Sequence, residues 1–484
     1  MAEEPGAGPA EVDLLIEGGL VVTLDAERRV LDDGSVAVDG DRIVAVGARA
    51  EIAAAYRGRR TLDARRRVVM PGYVDGHVHT TAEMLSRGFV PDSVGQPTWT
   101  RDWAAHLYAA ITPEEEYVAA LLAAAEMLRN GTTAFCEAGT IKDVGRVVQA
   151  LDEAGIRGVV GRWTWDQVPR LTALHQETEQ ALATTEELVE QYHGAAHGRI
   201  RMLTAVINVT TASERLLLGL RDLADRRGLM MNWHQSGGPD YVPAALAQWG
   251  MRPIERLREQ GLLGSNVRLV HMVNVDAREV EILAETNTRV VHCPTTALRL
   301  AYGASQVGRF PEMVAAGMTV ALGTDGVNAS DHLDMGKATY LAAGLFKDGR
   351  QDPSTMPAEQ VLEMATLHGA RAIQWEDEIG SLEAGKKADV VLLDRDRPEM
   401  VPLVNVANAL VYATDGRSVD TVLVDGRVVV EDGRLTTIDE GWLYREVERL
   451  APGMIARSRL PLQRRWGVLG ERTRWTRAGK DPEA

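Results

Sequence analysis

Four apolar runs, far apart in this chain, each close on a residue able to bind a metal ion. Val68-Val69-Met70 leads into Pro71-Gly72-Tyr73-Val74-Asp75-Gly76-His77-Val78-His79, Trp233 into His234, Val270 into His271, and Leu322 into Gly323-Thr324-Asp325-Gly326. Residues i and i+2 of a strand share a face, so His77 and His79 can reach one ion. An isolated His-x-His pair is common on protein surfaces. Three or four imidazoles and one carboxylate on separate strand ends instead describe a divalent metal site with room for water.

Between residues 69 and 384, apolar strands alternate with helical segments, which points to parallel βα units and an α/β fold, a (β/α)₈ TIM barrel. The strands are expected near 71–77, 132–137, 156–163, 199–208, 229–234, 267–271, 288–292 and 318–324. Helices are expected to include 113–129, 213–227 and 357–374, with Pro113 suited to a first turn. In such a barrel functional groups gather at the C-terminal ends of the strands, where the four candidate ends fall. Outside the barrel, short β runs with hairpin signals at Asp39-Gly40 and Asp425-Gly426 mark residues 12–68 and 385–435 as one composite β-sandwich built from both ends of the chain. Residues 1–11 are expected to be a disordered N-terminus and 436–484 a helical extension with an Arg- and Trp-rich tail.

At 484 residues, with 45% hydrophobic and 25% charged, the chain has the composition of a large globular protein with more than one core. A net charge of -16 argues against nucleic acid or an anionic membrane as partner. No run approaches the roughly 20 apolar residues of a membrane span, and the acidic, Gly/Pro/Ala-rich start lacks the features of a signal peptide. Cys136 and Cys293 are the only cysteines, so a disulfide framework is excluded. A cytoplasmic homo-oligomer acting on a small molecule is the expectation.

Further motifs accompany the four strand ends: Ala125-Glu126-Met127-Leu128-Arg129-Asn130-Gly131-Thr132-Thr133, Val291-His292-Cys293-Pro294, and Ile379-Gly380-Ser381-Leu382-Glu383-Ala384-Gly385-Lys386-Lys387-Ala388-Asp389-Val390-Val391. In this order they resemble the metal-dependent amidohydrolase superfamily over nearly the whole chain. The branch resembled contains methylthioadenosine/adenosylhomocysteine deaminases, guanine and cytosine deaminases, and triazine hydrolases. The resemblance implies the barrel-plus-sandwich arrangement and the metal ligands His77, His79, His234 and Asp325. It implies that His271 stands beside the metal and contacts the water or the leaving group, and that Asp325 also accepts the water's proton. Strand four, Arg199 to Asn208, has neither Lys nor His to bridge a second ion, so one divalent metal per chain is expected. Zn²⁺ is the first choice for this ligand set, with Fe²⁺, Mn²⁺ or Co²⁺ also compatible.

One departure bears on the chemistry. Most deaminases of the resembled branch carry His-x-x-Glu after strand five, the Glu moving a proton between the water and the ring nitrogen. Here the run is His234-Gln235-Ser236-Gly237, and Gly237 cannot titrate. The matching downstream stretch, Gly250-Met251-Arg252-Pro253-Ile254-Glu255, keeps the alignment in register. The branch's ribose-binding Glu aligns with Tyr108, and its His-Cys-Pro-x-Ser-Asn reads His292-Cys293-Pro294-Thr295-Thr296-Ala297. A pocket less polar than a nucleoside site is expected, walled by Trp163 and Trp165, whose other reading is ordinary packing. Tyr108 and His292 are further candidates for substrate contact; His292 has the equal alternative of orienting its strand. Glu137, ending strand two, is the candidate proton donor. The favoured function is a mononuclear metal-dependent hydrolase of a small non-peptide C–N bond or equivalent leaving group: a urea, carbamate, lactam or substituted N-heterocycle. The alternatives are a deaminase of a purine-like or pyrimidine-like ring with a relocated proton shuttle, and a catalytically silent metal-binding scaffold.

Overall fold

The computed structural model describes residues 8–96, 98–167 and 175–463. At its centre are eight parallel strands: Tyr73–Val78, Thr132–Glu137, Arg157–Val160, Ile200–Ala205, Met230–Gln235, Val267–His271, Arg289–His292 and Val320–Leu322. Each pairs with the next in chain order. The ring closes at a single point, where Asp325 N–H donates to the His77 carbonyl at 2.8 Å and Val78 bridges to Asp325. The third strand is shorter than expected because residues past Val160 leave the ladder; Trp163 touches strand four only through a lone bridge to Ala205.

Strand alternation sorts the side chains. Ala134, Cys136, Val159, Leu203, Val270, Val291, Cys293 and Ala321 fill the barrel. Their neighbours Phe135, Val160, Met202, Val290 and Val320 pack outward against the helices.

The helix Pro113–Arg129 starts where expected, its N-terminus closed by a reciprocal Thr112–Glu115 capping box. Glu214–Arg227 is capped by Ser213, whose Oγ accepts from Leu216 N–H, and ends on left-handed Gly228. The helix expected over 357–374 is two pieces, Ala358–Met364 and Leu367–Ala372. The break frees the Ala365 carbonyl to accept from Val74 N–H at 2.8 Å, so a helix end anchors the first barrel strand.

Both chain ends build one nine-stranded sheet. Its seam is the antiparallel pairing of Arg67–Pro71 with Val390–Asp394. The first strand, Ala10–Val22, is long and shifts register at left-handed Gly18. That strand begins inside the stretch expected to be disordered; residues 1–7 lie outside the described residues. The hairpin turns at Gly40 and Gly426 face each other so closely that a Cβ on Gly426 would collide with the Gly40 carbonyl. A buried ion cluster joins sheet to barrel: Arg157, at the start of the third strand, donates to both carboxylate oxygens of Asp389 at 3.0 Å and also to Asp425. The expected C-terminal helix is Glu440–Ser458; Arg457 and Arg449 bind Glu115 and Glu114 of the Pro113–Arg129 helix. The tail from residue 464 lies outside the described residues. No described helix is long and apolar enough to cross a membrane.

Candidate metal centre

His77, His79, His234 and Asp325 each bring one ligand atom to a common point, all within 4.8 Å of one another. The Nε2 atoms of His79 and His234 lie 3.3 and 3.1 Å from that of His77. Asp325 Oδ1 is 3.0 Å from His79 Nε2 and 3.4 Å from His77 Nε2. A tetrahedral ion with bonds of about 2.0–2.1 Å separates its ligands by about 3.3 Å. Imidazole nitrogens facing each other this closely repel unless a proton or a cation lies between them. The donor set and its spacing therefore fit a divalent metal held by three imidazoles and one carboxylate.

The surroundings fix the tautomers. His234 Nδ1–H donates to the Ile207 carbonyl at 3.0 Å. His79 Nδ1 lies 2.7 Å from Glu83 Oε1, and Tyr108 O–H donates to the same oxygen. Glu83 also accepts from Asn328 N–H at 3.1 Å and is wholly buried. Both arrangements turn Nε2 inward as the ligand atom. Asp75 accepts from His77 N–H and Thr324 N–H, each at 3.1 Å, locking strand one to the loop that carries Asp325. Beneath the site, buried Arg268 donates to the Gly76 carbonyl and, at 2.9 Å, to Asn232 Oδ1, tying strand six to strands one and five.

Burial pushes the His77 imidazole down to about 3, and burial with neighbouring histidines holds His234 well below its ordinary value. Both are kept neutral, as ligands must be. Burial opposes ionisation of Asp325, yet His77 and His79 hold it well below the carboxylate range. Four non-glycine residues around the site, Ser236, His271, Met272 and Asp325, have φ of 47°, 76°, 49° and 64°. Such strain gathers where the surrounding structure over-determines a functional geometry.

The structure brings some of the other candidates to this centre. His271 stacks on His234 with ring centroids 5.1 Å apart; its Nδ1 is buried without a partner. Trp163 presents its ring to His79, His234 and Tyr108 at 5.8, 5.5 and 5.7 Å. Its indole N–H is buried without an acceptor among the described residues. Trp165 is buried in the same cluster as Trp163 and Ile207, at the barrel mouth. Tyr108 reaches the centre from behind His79, through the phenol–Glu83 bond.

Two candidates stand elsewhere. Glu137 spends its carboxylate on its own strand end, accepting from Gly139 N–H, Thr140 O–H, Thr140 N–H (3.0 Å) and Thr80 N–H (3.5 Å). Those bonds favour the ionised form, but burial outweighs them and pushes the carboxyl above its ordinary value; its oxygens are engaged with Thr140 and backbone amides rather than with the four-ligand cluster. His292 points outward in step with Val290, its ring stacked 4.0 Å from that of Phe310. Its neighbour Cys293 is the residue of that strand end that faces the site, with His271 and Asp325.

Glu83, Tyr302 and Cys293 are the residues that sequence reasoning missed. Glu83 follows His79 by four positions in irregular backbone, so periodicity gives no signal. Tyr302 packs edge-on to His271 at 5.6 Å. A Cβ built on Gly237 would lie 3.2 Å from both the Tyr302 and the His271 rings, so Tyr302 fills the room into which a side chain at 237 would project. Strand four, Ile200–Ala205, carries neither His nor Lys.

The profile of the amidohydrolase family matches residues 68–429. A 5-methylthioadenosine/S-adenosylhomocysteine deaminase of Syntrophobacter fumaroxidans is 36% identical over 444 residues, covering 92% of this chain and 99% of the relative. The deaminase of the same name from Desulforudis audaxviator is 36% identical over 423 residues, 87% of this chain and 95% of its own. An adenosine deaminase from Xanthomonas campestris, solved with bound zinc, superposes with a TM-score of 0.86 at 31% identity, covering 93% of this chain and 99% of that one. The atrazine chlorohydrolase TrzN from Arthrobacter aurescens TC1 shares the fold, with a TM-score of 0.80 at 24% identity over 91% of this chain and 100% of TrzN. With its candidate metal-ligating strand ends assembled in one barrel and its relatives alike along nearly their whole length, the chain belongs to the amidohydrolase family, as a hydrolase of carbon–nitrogen bonds other than peptide bonds.

Proposed function

We propose that the protein is a mononuclear hydrolase, with zinc as its metal, acting on a small non-peptide C–N bond or an equivalent leaving group. The observation that carries this is the convergence of three imidazole nitrogens and one carboxylate within 4.8 Å of one another, with no bridging group on strand four. A divalent ion held there would lower the pKa of a bound water toward about 7. Asp325, ionised and 3.0 Å from His79 Nε2, is placed to accept that water's proton. His271, stacked on His234, is placed to polarise the electrophile or to assist the leaving group. Trp163 and Tyr302 wall the site with aromatic surface, which suits a flat, weakly polar substrate: an aromatic urea or carbamate, a lactam, or a substituted N-heterocycle.

The geometry around Gly237 supports this reading over ordinary ring deamination. A general acid–base group is worth about 10²–10⁴-fold, and none stands at that position. A second reading, deamination of a purine-like ring with its proton shuttle relocated, draws on the deaminase names of the relatives at 36% identity.

The test is metal analysis followed by a substrate screen. Close to one divalent ion per chain is expected, lost in His77→Ala and Asp325→Ala. Aromatic ureas, carbamates, and amino- and chloro-heterocycles are then assayed for amine, ammonia or chloride release. A kcat/KM near about 10⁵ M⁻¹s⁻¹ on an unmodified nucleoside or nucleobase, inside the ordinary enzyme range, would establish the second reading instead. Two tightly bound ions per chain in the protein as purified, before any metal is added, would end the mononuclear one.

A further inference from the structure

Beside the four-ligand cluster the described residues hold a second set of converging ligand atoms: a ring nitrogen of His271, the Cys293 sulfur and an oxygen of Asp325, all within 4.8 Å. Cys293 is 1% exposed and belongs to the barrel interior with Val270, Val291 and Ala321. His271 is 7% exposed, and its Nδ1 is buried without a hydrogen-bond partner among the described residues. The two sets share only Asp325. They differ in kind, because the first offers nitrogen and oxygen alone and the second adds a sulfur.

We propose that His271, Cys293 and Asp325 form a second, thiolate-bearing cation position, selective for a soft ion such as Cd²⁺, next to the resident metal. Thiolate ligands select soft cations where imidazole and carboxylate do not. Binding breaks the thiol S–H bond, forms the sulfur–metal bond and passes the proton to solvent. Asp325 would then lie between two cations and lose its freedom to accept a proton from water. His271 would be drawn into coordination and away from the electrophile. An ion here inhibits.

The inference rests on the four-ligand reading of the primary cluster. Protein carrying one zinc per chain is titrated with cadmium chloride, followed by the ultraviolet charge-transfer band of a cadmium thiolate and by metal analysis after desalting. The expected result is a band that saturates at one added cadmium while zinc stays near one per chain. Cys293→Ser should abolish the band, and Cys136→Ser should retain it. Cadmium NMR of the wild type needs no variant: the added ion should resonate downfield of one bound only by nitrogen and oxygen.

An undiminished band in Cys293→Ser, release of one zinc for each cadmium taken up, or a sulfur-free resonance would each overturn the second position. So would no band at all in the zinc-loaded wild type. Failure of the primary reading would show earlier, as absence of zinc before any cadmium is added.

Discussion

Glu83 is the residue behind the metal ligands on which the site should depend most, and Glu83→Gln is the substitution that isolates its charge. The glutamate is wholly buried. One oxygen takes His79 Nδ1–H and Tyr108 O–H, and the other takes Asn328 N–H. Glutamine keeps the shape but replaces one acceptor with an amide donor. Turned one way, that N–H₂ faces the imidazole and the phenol; turned the other, it faces the Asn328 amide. Either orientation sets donor against donor, and the charge that makes His79 a stronger ligand is gone. Partners of this kind contribute about 10–100-fold to metal affinity, or about 1.4–2.7 kcal/mol. Competition with a chromophoric zinc chelator at fixed pH gives the dissociation constant, and thermal unfolding in excess metal confirms that the variant folds. Tyr108→Phe removes one donor and leaves the carboxylate, so its effect should be smaller. If folded Glu83→Gln bound zinc within about 3-fold of wild type, Glu83 would not govern His79 and the reasoning would fail.

His271→Asn should keep the metal and lose about 10²-fold or more in turnover; metal loss as complete as in His234→Ala would make it a ligand. Asp389→Ala leaves Arg157 buried with only Asp425, and should destabilise by about 3–5 kcal/mol in urea unfolding; a change below about 1 kcal/mol would show that the ion cluster does not hold sheet to barrel. Burial pushes His368 down to about 4, and its Nδ1 accepts from Val320 N–H of the eighth strand. Between about pH 6.5 and 4 the unfolded chain takes up this proton and the folded one does not, so stability present above pH 6.5 should drain away as pH falls through that window. In His368→Asn, which keeps an acceptor, unfolding free energy should fall less steeply over the same range; parallel curves would contradict the assignment.

The barrel and its candidate metal ligands are legible in the sequence because His234 and Asp325 follow apolar runs; the run before His77, Val68-Val69-Met70, is instead a strand of the composite sheet, and the barrel strand is the short Tyr73–Val78 after it. Position at a strand end is a one-dimensional property. Facing is subtler: His292 falls in step with outward Val290, whereas Cys293 falls in step with inward Val291, and a strand-end motif alone does not say which of the two turns in. Glu83 and Tyr302 owe their places to irregular backbone and to the packing of distant segments, which no periodicity encodes. The break at Ala365 is likewise tertiary, since an uninterrupted helix there would satisfy its own carbonyl and leave Val74 N–H without one. Gly237 was readable as an absence. That Tyr302 occupies the room it leaves was not.

The seam between Arg67–Pro71 and Val390–Asp394 also sets a timetable. Strand Ala10–Val22 covers one edge of the Val68-Val69-Met70 run early in synthesis, but the other edge has no partner until residues 390–394 appear. More than three hundred residues lie between. At about 5–20 residues per second, an apolar strand edge next to the first metal ligands stays open for roughly 15–60 s on the ribosome. The nascent chain must therefore carry an open apolar edge through about two thirds of translation, until Val390–Asp394 is made and covers it.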